Sequence, residues 1–240
     1  MVRVVVVGVC GRMGSEIVRL VGERSDMEVV AGVEAVGHPL IGTPVGAGVV
    51  VADLSSVVDG GDVVVDFSTP EAVGENVRIC TRAGKPFLTG VTGFQEDEVE
   101  VLKKAGEKIP VLYAPNFSIG VAVLKKLVKE TARLLGSSWD VHIVEIHHKR
   151  KKDAPSGTAK MLFEAIRSEA GERLIDFSSI RAGDIVGVHQ ILFAGSGEHL
   201  ELIHRAESRV AFASGVLGGI RWIVKKGPGF FSIDDVLGLN

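Results

Sequence analysis

The sequence predicts an α/β protein: a doubly wound parallel sheet, followed by a second α+β domain with an open mixed sheet. Three observations lead there. Short apolar runs alternate with stretches of helical spacing through the first half of the chain. The first apolar run leads directly into a glycine-rich turn. Beyond residue 116 the candidate strands lengthen, and the last two follow one another with no helix between them.

The candidate strands of the first half are Val2–Val7, Met27–Val33, Asp62–Phe67, Pro86–Thr89 and Pro110–Tyr113. Helical spacing separates them, as at Ile17, Val18 and Val21, and again at Val99 and Leu102. Strands buried on both faces are continuously apolar rather than alternating, which suits Val4 to Val7 and Val63 to Val65. These elements make residues 1–115 one dinucleotide-type α/β domain. Residues 116–208 form the second domain, with a helix over Ile119–Leu135, a strand ending near Glu145-Ile146-His147, and strands over Ile185–Ala194 and His199–His204. The last stretch, 209–240, carries an apolar helix through Phe212, Val216 and Ile220 that can return to the first domain.

Composition removes several classes of function. With 240 residues, 46% hydrophobic and 24% charged, the chain is long and apolar enough for one large or two modest cores. Its 27 basic and 30 acidic residues give a formal charge of -3, so no global positive field exists to hold a nucleic acid. Cys10 and Cys80 match no metal-binding spacing and are too few for a disulfide framework, which points to a reducing compartment and to no metal. No signal-peptide pattern and no membrane-spanning apolar run is present, so a cytoplasmic protein without a membrane partner is expected.

Gly8-Val9-Cys10-Gly11-Arg12-Met13-Gly14 follows the first strand and opens a helical stretch, the context in which a glycine motif has physical meaning. Gly8 permits a tight turn, Gly11 lets backbone amides approach a pyrophosphate, and Gly14 allows close packing of helix on strand. The spacing is GxxGxxG rather than GxGxxG, so the turn alone also fits an ordinary glycine loop. Glu34, 20 residues after Gly14 and at the end of the second strand, supplies the acid that accepts hydrogen bonds from an adenosine ribose. Together these features favour a Rossmann-type dinucleotide site. Ala35 and Val36 follow the acid, with no adjacent Arg for a 2′-phosphate, so NADH is expected to bind at least as well as NADPH, with Arg12 a partial substitute as phosphate partner. The loops Phe67-Ser68-Thr69-Pro70 and Gly90-Val91-Thr92-Gly93 follow later strands, where ligands of open parallel sheets sit; plain turn chemistry is the alternative for both.

The segment Glu145 to Ala159 reads EIHHKRKKDAPSGTA. Adjacent residues at a strand end point to opposite faces, so His147 and His148 do not easily chelate one ion. The basic run Lys149 to Lys152 is followed at once by Ala154-Pro155-Ser156-Gly157-Thr158, in which Ser156 and Thr158 are helix-capping types and Gly157 lets a ligand approach the backbone. A histidine able to donate a proton near neutral pH, a lysine and a cradle of amides suit a small polycarboxylate that is being protonated and reduced.

These residues resemble a known family. HHKRKKDAPSGTA matches the HHxxKxDAPSGTA signature of the 4-hydroxy-tetrahydrodipicolinate (dihydrodipicolinate) reductases of the diaminopimelate route to lysine. The resemblance extends through Gly8 to Gly14 with its GRMG ending, Gly90 to Gly93, Ala114 to Gly120, Arg181-Ala182-Gly183, and Arg205-Ala206 through Phe212-Ala213 to Trp222. It implies hydride transfer from NADH or NADPH to C4 of a cyclic imine dicarboxylate, with loss of the 4-hydroxyl as water and protonation at C3. By the same resemblance His147 is the proton donor and acceptor and Lys151 the second proton donor. His148, Gly157 and Thr158 are substrate-carboxylate contacts, with Ser156 opening their cradle. Cofactor contacts fall on Gly8, Val9, Cys10, Gly11, Arg12, Met13, Glu34, Gly90, Val91, Thr92, Ala114, Pro115, Asn116 and Phe117. A homotetramer assembled through the second domain's sheet is also implied. Two positions depart from the family pattern: Ala35 stands where a basic residue often follows the ribose acid, and Val91 replaces a common Thr.

Two other readings share part of this pattern. A dehydrogenase acting on another small carbonyl or imine would keep the glycine turn but need no grip for two carboxylates. A non-catalytic NADH-binding redox sensor would use the Lys149 to Lys152 run for a partner and show tight cofactor binding without turnover.

Overall fold

The computed structural model describes residues 1–170 and 174–239. In chain order the first half contains β1 (Val2–Val7), α1 (Arg12–Gly22), β2 (Met27–Val33), β3 (Pro44–Val45), β4 (Gly48–Val51), β5 (Val63–Asp66), α2 (Pro70–Ala83), β6 (Phe87–Thr89), α3 (Glu96–Gly106) and β7 (Pro110–Tyr113). There follow α4 (Ile119–Leu135), β8 (Asp140–His147), α5 (Gly157–Ala170), β9 (Ile175–Arg181), β10 (Gly187–Ala194), β11 (His199–Ala206), α6 (Val210–Ile223), β12 (Gly229–Phe231) and α7 (Ile233–Leu237). The chain forms two compact units, one of residues 1–117 with 212–238 and the other of residues 118–211.

The first unit is built on an eight-stranded sheet in the order β12-β7-β6-β5-β1-β2-β4-β3, parallel except for the short β3–β4 hairpin at one edge. Its centre is the valine-rich pair β1 and β5, in which Val4, Val5, Val6, Val63, Val64 and Val65 are all fully buried. Each such side chain contributes about 1.5–3 kcal/mol of burial, which is why continuous rather than alternating runs settle at the middle of the sheet. Strand order reverses on either side of β1, with β2 on one flank and β5 on the other. The loops leaving the carboxyl ends of β1 and β5 therefore bound the crevice where ligands of such sheets bind.

The second unit has a four-stranded mixed sheet in the order β11-β10-β8-β9, with β8 parallel to β9 and antiparallel to β10. One face is covered by α4 and α5 through Leu124, Val128, Leu162 and Ile166, which pack with Val141, Ile143, Ile191 and Phe193 of the sheet. The opposite face, carrying Val144, Ile146, Val188 and Ile203, is half-buried to exposed. The second-half strands fall close to the predicted ones, β10 beginning two residues later than expected at Gly187. Strands β3, β4, β9 and β12 are not foreseen by the sequence patterns. The first two are very short, and Ser178-Ser179 interrupts the apolar alternation of β9.

Candidate active site

In the first unit, β1 ends at Val7 and the chain turns through Gly8, whose φ of 71° is a left-handed value that favours glycine. Gly11 N closes the turn by donating to Gly8 O at 3.0 Å. A Cβ at Gly14 would lie 2.2 Å from Gly8 O, so only glycine lets α1 start this close to the strand. Gly11 is the N-cap of α1 and offers no capping side chain, which leaves the helix start open to an anion.

Glu34 reaches back to this turn: Cys10 N donates to its Oε2 at 3.1 Å and Ala35 N to its Oε1 at 3.0 Å. Gly8, Cys10, Gly11 and Glu34 line a cavity of about 550 Å³ together with His38, Phe67, Ser68, Thr69 and Asn76. A neighbouring cavity of about 300 Å³ is lined by Arg12, Met13, Gly90, Val91 and Thr92, and Phe67 and Ser68 belong to both. The glycine turn, the open helix start and the acid beside them fit a dinucleotide in donor chemistry and in room. Val9 is buried, and a Cβ at Gly32 would lie 2.8 Å from its side chain. Ala114 and Phe117 are buried and line neither cavity; the Phe117 ring stands 6.1 Å from that of Phe67. Pro115 is exposed and Asn116 half-buried. Ligating atoms of Cys10, Glu34 and His38 lie within 4.8 Å of one another. In this arrangement His38 Nδ1 accepts from Leu40 N at 3.3 Å, and the Glu34 carboxylate is held by two amides, so all three shape the cavity wall.

In the second unit the chemistry lies at the end of the covered sheet face. Along β8 the buried positions are Val141, Ile143, Glu145 and His147, so the period of two that builds the core runs on into polar residues. Glu145 is fully buried and takes both Arg181 terminal nitrogens, Nη1 to Oε2 at 2.9 Å and Nη2 to Oε1 at 2.7 Å. Arg181 Nη2 also donates to Asp153 O at 2.6 Å, which ties β9 to the loop before α5. The second partner of Glu145 is His147, through Nδ1 and Oε2. Burial alone would raise the Glu145 carboxyl, but hydrogen bonds from Arg181, Ser179 and His147 hold it down to about 2. Burial pushes the His147 imidazole below its ordinary range, opposed by the charge of Glu145 and reinforced by Lys151 and Arg181.

His189 of β10 packs edge-on against His147, with ring centroids 5.2 Å apart. Burial and the like charge of His147 push it down to about 3, so it is a neutral side chain. Its Nε2 pairs with Ser156 Oγ at 3.2 Å, and the same hydroxyl accepts from Ala159 N at 3.2 Å to cap α5. Ser156 is thereby buried, whereas Gly157 opens α5 at the surface, where a Cβ would meet nothing within 4 Å. Thr158 follows it, half-buried. Lys151 is mostly covered and pairs with Asp153 at 2.9 Å, and His148 is half-buried with Nδ1 enclosed and lacking a hydrogen-bond partner.

Of the predicted site residues, Gly8, Cys10, Gly11 and Glu34 share one cavity, Arg12, Met13, Gly90, Val91 and Thr92 share its neighbour, and His147, Lys151 and Ser156 belong to one electrostatic cluster. Sequence reasoning assigns no role to Glu145, Arg181 or His189. An acid and a histidine at the period-two positions that continue Val141 and Ile143 are the available signal for the first of them. His189, preceding Ile191 and Phe193 at the same period, carries the same signal.

Comparison with known proteins gives a consistent result. Residues 2–117 match the family described as dihydrodipicolinate reductase, N-terminus, and residues 120–237 match dihydrodipicolinate reductase, C-terminus. The chain is 41% identical over 268 aligned positions to 4-hydroxy-tetrahydrodipicolinate reductase of Syntrophobacter fumaroxidans, covering all of both sequences. It is 42% identical to the enzyme of that name from Anaeromyxobacter dehalogenans, covering all of this chain and 99% of the relative. Among solved structures, the dipicolinate-bound dihydrodipicolinate reductase of Paenisporosarcina sp. TG-14 superposes with a TM-score of 0.82 at 28% identity, covering 97% of each chain. A probable dehydrogenase from Thermotoga maritima, at 14% identity and TM-score 0.64, shares the fold.

Proposed function

The chain belongs to the dihydrodipicolinate reductase family, and on that premise we propose how its own residues carry out the reduction of 4-hydroxy-tetrahydrodipicolinate to tetrahydrodipicolinate and water. The protein is an NAD(P)H-dependent oxidoreductase of lysine and diaminopimelate biosynthesis. A bound reduced nicotinamide dinucleotide supplies the hydride that reaches C4 of the substrate. The chain then has three tasks: to hold the dinucleotide, to grip a doubly negative ring, and to manage the C3 proton, which leaves as the 4-hydroxyl is lost as water and is returned to C3 once the hydride is on C4.

Holding the dinucleotide falls to the turn from Gly8 to Met13, where the amides at the start of α1 would hold the pyrophosphate and the Glu34 carboxylate would accept from the ribose hydroxyls. Gly90, Val91 and Thr92 would complete the nicotinamide side, with the 114–117 segment after β7 behind them, Phe117 packing near Phe67. Ala35 offers no cation for a 2′-phosphate, so NADH serves at least as well as NADPH. The substrate carboxylates lie on His148, Lys151 and the start of α5, where Gly157 leaves open space beside the backbone and Thr158 and Ser156 frame it. Dipicolinate bound to the Paenisporosarcina relative is a planar dicarboxylate of this kind.

Proton delivery falls to His147. Its Nδ1–H donates to Glu145, so Nε2 is the atom that exchanges a proton with C3, and the buried carboxylate stabilises the imidazolium while the proton is held. Lys151 balances substrate charge and is the second proton source. The observation that carries this reading is the Arg181–Glu145–His147 chain, an ion pair spent on orienting one imidazole at the end of an otherwise apolar strand face. The chain acts as a homotetramer through the half-exposed face of the second unit's sheet.

The direct test couples the protein to a synthase that makes the substrate from pyruvate and aspartate semialdehyde and follows nicotinamide absorbance with each cofactor. Turnover with inhibition by pyridine-2,6-dicarboxylate is expected. Cofactor binding without turnover would leave only a sensor.

A further inference from the structure

Asp66 is the last residue of β5, fully buried, and belongs to none of the groups assigned above. Its Oδ1 accepts hydrogen bonds from Ser68 N at 2.8 Å and Ser68 Oγ at 2.6 Å, and its Oδ2 accepts one from Asn76 Nδ2 at 2.8 Å. The side chains that relieve its burial are thus Ser68 and Asn76, neither of them charged, and burial still pushes the carboxyl up. A strand end that needed only packing would be served better by an apolar residue of similar size. Both partners of Asp66 share a property unrelated to packing: Ser68 and Asn76 line the 550 Å³ cavity, and Ser68 also lines its neighbour.

We propose that Asp66 is a positioning residue for the dinucleotide, clamping the 67–69 loop to α2 so that Ser68 and Asn76 present fixed polar groups to the nucleotide cavity. The inference rests on the dinucleotide reading of that cavity. The clamp also sets polarity. A carboxylate only accepts, so Asn76 turns its NH₂ group toward Asp66 and its carbonyl oxygen is left to accept from a ligand. Ser68 spends both its amide and its hydroxyl proton on the same oxygen, leaving its hydroxyl lone pairs to accept. Ser68 and Asn76 therefore present acceptors to the cavity they line, which suits the hydroxyl and amino donors of an adenosine.

The experiment measures NADH affinity by fluorescence titration and dipicolinate affinity by calorimetry for the wild type, Asp66→Ala, Asp66→Asn, Ser68→Ala and Asn76→Ala. Asp66→Ala is expected to weaken NADH about tenfold or more while leaving dipicolinate unchanged, the scale of losing a charge-assisted hydrogen bond. Asp66→Asn keeps an acceptor for Ser68 but puts its own NH₂ against Asn76, which turns the Asn76 carbonyl inward and its NH₂ toward the cavity, so NADH should stay weakened about threefold or more in a folded protein. Folded Asp66→Ala protein that binds NADH like the wild type, or that loses both ligands equally, would overturn the inference. If Asp66→Ala does not fold, unchanged NADH affinity in both Ser68→Ala and Asn76→Ala overturns it instead. Failure of the wild type to bind NADH would sink the dinucleotide reading itself, a result distinct from all of these.

Discussion

Replacing Glu145 by Gln removes one negative charge and preserves volume, which makes it the sharpest probe of the buried histidine. A carboxyl held at about 2 against an ordinary 4.5 has its ionised form favoured by about 3 kcal/mol. That sum is shared by Arg181, Ser179 and His147 after the opposing cost of burial. Assigning the His147 bond between a third and a half gives about 1–1.5 kcal/mol, so the imidazolium loses about tenfold in population when the charge goes. His147 already titrates below its ordinary range because it is buried, and its protonated form, the proton donor, is lost as pH rises through that lowered value. In the variant the falling limb of kcat moves further to the acid side by about one pH unit, with kcat near neutrality down about tenfold and partly recovered in acid. NADH affinity should not move. Stability supplies an independent check with its own sign. The folded carboxyl titrates below the unfolded one, so ionised Glu145 stabilises the fold above about pH 4.5, and this contribution is lost as pH falls toward 2. The Gln variant should lack that part of the acid-range slope in urea unfolding. An unshifted kcat limb beside an altered unfolding slope would show that Glu145 serves the fold and leaves the chemistry alone.

Other outcomes follow from the same geometry. His147→Gln should lower kcat by roughly 10²-fold or more with NADH affinity nearly intact, and unchanged turnover would remove His147 from proton transfer. Lys151→Met should reduce turnover and raise KM for the dicarboxylate together; an intact KM would leave Lys151 only its ion pair with Asp153. Glu34→Ala should weaken NADH without altering dipicolinate binding, and equal losses at both ligands would contradict a ribose role. Gly14→Ala places a Cβ 2.2 Å from Gly8 O, so thermal denaturation should show a loss of about 1–3 kcal/mol or more, together with weakened nucleotide binding; a variant as stable as the wild type would refute the close approach.

The longer strands of the first unit were legible because continuous apolar runs such as Val4 to Val7 admit few other readings, whereas the short strands β3, β4 and β12 were not, and the glycine turn was legible because a steric requirement leaves a mark in sequence. What stayed hidden shares one physical cause. Glu145, Arg181 and His189 come from β8, β9 and β10, and their partnership exists only once those strands pair: Glu145 lies beside Ser179 on one side and His189 on the other. The period of two along β8 and β10 marks Glu145 and His189 as inward-facing but names no partner for either, and β9, which delivers Arg181, was itself obscured by its two serines. Asp66 escaped as well, since it falls inside the predicted strand Asp62–Phe67 and its partners Ser68 and Asn76 are set only by the fold. In both places a carboxyl group sits near the carboxyl end of a buried strand and fixes its hydrogen-bond partners: His147 beside Glu145, and the cavity-lining Ser68 and Asn76 beside Asp66. Burying an acceptor-only group is expensive unless its partners are fixed. A strand end that keeps one is therefore a place to look for a functional side chain two residues on or in the helix that follows.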